Sequence, residues 1–213
     1  MNYNFCVGMN MGENDFQAFT MTWFYRALAI SQKLDSSSVN FGQRQIDLGD
    51  RFMALWVCFN SIMRELYGEN LSDNRLISAC SIDTLWIRIF ERDKVKLDRF
   101  LDQLMTYEIT NMKTGAERKL QKKEFNELIW VIYDIRCNLF HGRKDPFDFE
   151  NSKDYALIRL AFLILVKVVI SYLKEKDLIR IHLIENYTEI SESDIPKPEL
   201  KIEDYLDGLI FEF

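Results

Sequence analysis

Residues 125–142 read FNELIWVIYDIRCNLFHG, and this stretch decides the fold. At about 100° per residue, Phe125, Leu128, Ile129, Ile132, Ile135, Leu139 and Phe140 fall within one arc. That periodicity predicts an amphipathic helix from about Lys123 to His141, stopped by Gly142 and then Pro146. Arg136 falls near the middle of the apolar arc. A buried guanidinium with no partner costs several kcal/mol, on the order expected for an uncompensated charge. It must therefore be paired, reach water along a groove, or face another chain.

His141 lies five residues beyond Arg136, about 140° around the same wheel. Two routes bring these side chains to one place. The helix loosens before Gly142, or a second copy supplies the complementary pair across a two-fold axis. The negative end of the helix dipole favours the imidazolium form of His141. A proton donor-acceptor, a fixed cation and the neighbouring Arg143 and Lys144 suit metal-free phosphodiester cleavage. The same residues also serve, more simply, as caps for the helix C-terminus.

Outward from this helix the pattern stays helical. Phe16, Phe19, Trp23, Phe24, Ala27, Leu28, Ile30 and Leu34 form a stripe over about residues 15–34. A polar link from Ser36 to Gly49 precedes a second helix, about Leu48 to Tyr67, which Gly68 ends. Shorter helical pieces are expected around Leu76–Cys80, Ile82–Phe90 and Val95–Tyr107. Lys113 to Lys123 holds five bases and one acid and reads as a solvated basic loop or helix start. Asn151-Ser152 can cap a last helix, Lys153 to about Lys176, which is apolar nearly all round. Ile179 to Ile184 allows a short strand.

Composition agrees. The 213 residues include eight Gly and three Pro, the first proline being Pro146. Together they make about 5% of the chain, against roughly 12% on average, too few for many short strands. The expectation is an all-α domain over residues 1–184 with a less regular acidic tail over 185–213. That tail carries nine acids and two bases, hence −7; the whole chain is −6, so residues 1–184 carry +1. A net-acidic chain is not a typical non-specific nucleic-acid binder, although a local basic patch can hold a phosphate backbone.

Cys6, Cys58, Cys80 and Cys137 form no C-x-x-C pair, and with two histidines they read as free thiols in a reducing compartment. No metal site and no cofactor are expected. The N-terminal MNYNFCVGMNMGEND lacks a signal-peptide pattern. The most apolar run, Ala161 to Tyr172, is broken by Lys167 and reads as too short to span a bilayer. A soluble cytoplasmic protein without a membrane partner follows as the expectation. Glu117-Arg-Lys119 matches half of a metal-nuclease motif without the preceding Pro-Asp, and no ATPase, serine-hydrolase or zincin motif is present.

Tyr133-Asp-Ile-Arg136-Cys-Asn138-Leu-Phe-His141-Gly142-Arg-Lys resembles the signature helix end of the HEPN superfamily, most closely its Apea-like branch. The earlier Arg51-Phe-Met-Ala-Leu-Trp56-Val-Cys-Phe59-Asn60 is similar to that branch's aromatic-rich helix ending in Phe-Asn. The two anchors span roughly Arg51 to Lys176. The resemblance implies a helical bundle of four to five main helices plus short ones, dimerising with both motifs in a shared cleft. It implies a metal-independent endoribonuclease of a toxin-like or antiviral defence system, with RNA as substrate and an antitoxin or defence protein as partner.

By position, His141 would be the general acid/base, Arg136 would stabilise the phosphorane, and Asn138 would orient substrate or the histidine. Arg143, Lys144 and Asn60 would contact substrate, although Asn60 reads first as a hydrogen-bonded structural amide. Cys137 stands where the branch often has a polar residue, which favours the alternative of an inactive module binding RNA, a nucleotide or a protein. Arg143 replaces the tyrosine that a nucleotidyltransferase antitoxin modifies in some relatives, which argues against neutralisation by that route.

Overall fold

In the computed structural model, residues 13–29, 41–111, 114–140, 152–176 and 178 are described. They are mostly helical. The elements are α1 (Glu13–Ala29), α2 (Phe41–Tyr67), α3 (Asp73–Ile82), α4 (Thr84–Met105), β1 (Glu108–Thr110), β2 (Glu117–Lys119), α5 (Phe125–Phe140) and α6 (Ser152–Glu175). The chain divides into two units, Met1–Val169 and Ile170–Phe213. Of the second, only the last turns of α6 and Leu178 are described. The acidic tail 185–213 and the strand expected over Ile179–Ile184 lie outside the described residues.

In the first unit α1 packs along α2, and α5 meets α2, α3 and α4. Aromatic side chains from three helices lock the centre. Phe59 of α2 meets Trp86 of α4 edge-on at 5.2 Å, and Trp86 stacks at 6.3 Å on Phe125, the first residue of α5. Trp56 and Phe90 extend the cluster on either side. Trp56, Phe59, Trp86 and Phe90 are all fully or almost fully buried, so large apolar areas leave water together. Cys58, Cys80 and Cys137 are buried free thiols, and burial pushes the Cys58 thiol far above its ordinary pKa.

Two expectations are corrected. The pieces around Ile82–Phe90 and Val95–Tyr107 join into one 22-residue helix, α4. Asp83 starts it by accepting the Leu85 N–H at 2.8 Å, so the break expected within 82–107 falls at residue 83 instead. The basic stretch 113–123 is neither wholly loop nor a helix start. Residues 117–119 form β2, antiparallel to β1, with Ile109 opposite Arg118. Gly115, at φ +71°, makes the turn that an L side chain adopts only with strain.

The α2 end follows the sequence reading. Gly68, at φ +118°, donates its N–H to the Arg64 carbonyl at 2.8 Å and terminates the helix. Arg51 is buried in α2, where its Nε donates to the Ala27 carbonyl near the end of α1 and its guanidinium lies 4.6 Å from the Phe162 ring. It thus caps one helix from inside another. By length and composition alone the whole of α6, Lys153–Glu175, is long and apolar enough to cross a membrane, although the run Ala161–Tyr172 within it is not. Its most apolar window is 78% buried, consistent with the core helix of a soluble protein.

Tyr67 closes the α2–α4 corner by donating to Asp83 Oδ2 at 2.6 Å. Burial, and then this bond to a carboxylate, push the phenol well above its ordinary pKa. A folded-state phenol pKa above the unfolded value of about 10 means that the folded state holds its proton longer. The stabilisation is fully present below pH about 10 and is lost as pH rises beyond it. Urea midpoints should therefore fall above that pH in the wild type and fall less steeply in Tyr67→Phe. Parallel profiles would refute the assignment.

Candidate functional site

Arg136 projects from α5 with its side chain 16% exposed. Its Nη2 lies 3.3 Å from Oδ2 of Asp73, the first residue of α3. Its guanidinium sits 4.1 Å from the Phe140 ring centroid and 5.4 Å from that of Trp56, so two aromatic faces hold its plane. Nη1 lies 3.9 Å from the Cys137 sulfur, a weak contact at best. Nε is buried without a hydrogen-bond partner. Of the three fates open to this guanidinium, pairing is the one observed.

Asp73 does not serve Arg136 alone. Its Oδ1 accepts from Arg64 Nη2 at 3.2 Å and from Asn60 Nδ2 at 3.4 Å, and Arg64 Nε donates to Asn60 Oδ1 at 2.7 Å. Arg64 Nη1 also donates to the carbonyls of Glu69 and Leu71. One arginine therefore folds the α2–α3 connection over the end of α2 and carries Asp73 to Arg136. The dipoles agree with this placement. Arg64 sits in the last turn of α2 and Asp73 in the first turn of α3. Two guanidinium charges face one carboxylate, so the cluster keeps a net charge of +1 at its partly exposed edge, where Arg64 is 37% and Asp73 28% exposed.

Beside the cluster, the Tyr133 ring lies tilted 6.0 Å from Trp56 and edge-on 5.9 Å from Trp130. Burial, followed by a hydrogen bond with Cys137, raises its phenol pKa, so it is neutral at physiological pH.

Of the residues the sequence singled out, Arg136 and Asn60 meet through Asp73. Asn138 is buried on another side of α5, where its Nδ2 donates to the Thr110 carbonyl of β1 at 2.8 Å. It joins the hairpin to the helix. His141, Arg143 and Lys144 lie outside the described residues. Glu117 and Lys119 stand exposed on β2, and no group of three His, Cys, Asp or Glu side chains fit to hold a metal ion occurs among the described residues.

Sequence reasoning missed Asp73 and Arg64. The wheel of α5 demanded a partner for Arg136, but nothing in the spacing pointed to a carboxylate 63 residues upstream. The only local signal was an acid three residues ahead of the helical piece expected around Leu76–Cys80.

No family model, curated protein or solved structure matches the chain.

Proposed function

We propose that the protein is a metal-independent endoribonuclease of the HEPN type, cytoplasmic, working as a homodimer in a bacterial defence or toxin-like system. The carrying observation is the Arg64–Asp73–Arg136 cluster. It holds Arg136 in a fixed orientation and retains one positive charge five residues before His141. A mostly helical chain with this arginine near the end of α5 supports a HEPN-like bundle.

In this reading His141 takes the proton of a ribose 2′-hydroxyl, whose oxygen attacks the adjacent phosphorus. The bond to the 5′-oxygen breaks, that oxygen takes the proton back from the His141 imidazolium, and the products are a 2′,3′-cyclic phosphate and a 5′-hydroxyl end. Arg136 stabilises charge on the phosphorane oxygens, which a planar guanidinium does better than an ammonium. Arg143 and Lys144 contact the substrate, while Asn60, its amide bonded to Arg64 and Asp73, supports the cluster. An antitoxin or other defence protein would restrain the activity.

A second reading, an inactive module that binds RNA, a nucleotide or a protein, draws on two observations. Asp73 already occupies one edge of Arg136, and Asn138 is spent on the hairpin. Incubation with single-stranded RNA in excess EDTA separates the two. The nuclease reading expects undiminished cleavage with 2′,3′-cyclic phosphate termini. Binding without cleavage selects the inactive module, and cleavage abolished by the chelator refutes the mechanism.

A further inference from the structure

A second basic surface lies on α4. Arg88, Arg92, Lys96 and Arg99 recur at i, i+4, i+8 and i+11, and all four are exposed. They line one stripe about 16 Å long at a rise of about 1.5 Å per residue. The core-facing side chains Trp86, Leu97, Leu101 and Leu104 lie across the helix from this stripe. No acid of α4 falls within its arc.

Three acids of this helix, Glu91, Asp98 and Asp102, lie on the flank beside the stripe and are matched there, while Asp93 is buried. Glu91 pairs with Lys94 at 3.0 Å. Asp98 and Asp102 share Lys123, at 2.5 and 2.6 Å, from the turn before α5. Lys123 accordingly holds its proton more firmly than an ordinary lysine, through its bonds first to Asp102 and then to Asp98. Lys96 and Arg99 enter no ion pair among the described residues. Arg88 and Arg92 each make an interaction of their own and are exposed, so the line rests chiefly on Lys96 and Arg99. In a chain of net charge −6, this is a concentrated cationic line.

We propose that this face of α4 docks the phosphate backbone of single-stranded RNA, a proposal that rests on the RNA reading of the Arg136 site. A cation on each successive turn, about 6 Å apart along the helix, suits a polymer with regularly repeated negative charge. A protein partner fits less well. Val95, 87% exposed, and Ile87 at 36% are the large exposed apolar side chains on α4, so little hydrophobic area is offered for burial.

The test is fluorescence-anisotropy titration of a labelled 2′-O-methyl RNA across a salt series. This probe has no free 2′-hydroxyl and survives the proposed chemistry. In the full chain, the Lys96→Gln/Arg99→Gln pair should reduce the slope of log affinity against log salt by about 1.4, or about 0.7 per lost cation. Arg26→Gln on α1 should leave it unchanged. An unaltered slope in the pair, with wild-type RNA binding intact, overturns the ridge and spares the site reading. Wild-type protein that ignores RNA but binds polyglutamate through Lys96 and Arg99 overturns both, in favour of an acidic protein partner.

Discussion

Arg136→Ala should lower RNA cleavage about 10²–10³-fold, the loss seen when one preorganised donor to a developing oxyanion is removed. The fold should survive, because Asp73 keeps Arg64 and Asn60 as partners. Arg136→Lys should not restore activity. An ammonium cannot both bridge to Asp73 and lie flat between Phe140 and Trp56.

Asp73→Asn sharpens the experiment. The amide keeps one acceptor oxygen where Asp73 uses two, one toward Arg64 and Asn60 and one toward Arg136, and it loses the carboxylate charge that draws in both guanidinium groups. Arg136 should then be less firmly oriented, and cleavage should fall about tenfold, between wild type and Arg136→Ala. His141→Ala should lose about 10²–10⁴-fold if it moves the proton. Single-turnover cleavage alongside circular dichroism measures all four. Full activity in folded Arg136→Ala would end the nuclease reading.

Asp134→Ala should cost about 2–3 kcal/mol of stability. Asp134 is 3% exposed, although it lies on the face of α5 opposite the apolar arc. The β-hairpin covers it. Arg118 Nε of β2 bonds its Oδ2 at 2.6 Å, and Asn111 Nδ2 bonds its Oδ1 at 2.7 Å. The figure stays below that for a fully buried pair because Arg118 is 41% exposed and regains water when its partner is lost. Residues 108–119 should then be cut faster by trypsin, although Asn138 and Lys153 still hold β1 through the Thr110 and Glu108 carbonyls. An unchanged urea midpoint would show that the hairpin contributes no stability through this pair.

These residues mark how far the sequence could be read. The apolar stripe of α5 was plain because a helix imposes a 3.6-residue period on whichever face enters the core. Arg136 stood out as the exception to that stripe. Asp134 did not, because nothing in its own helix reveals that a hairpin will cover the polar side. The hairpin was hidden in turn. Its strands are three residues each, too short for alternation to show, and β2 is Glu117-Arg-Lys119, which reads as a charge run. Part of that run is structural. Arg118 is spent on Asp134, and Lys123 on Asp98 and Asp102.

By itself the sequence determined that the chain is mostly helical, where α2 ends, and that Arg136 required a partner. These properties are local, set by periodicity, glycine and the cost of burying a charge. Only the tertiary structure decided who that partner is, and that Asn138 and Asp134 belong to the hairpin. Partnerships between groups 16 to 63 residues apart depend on how whole helices pack, and no spacing along the chain encodes them.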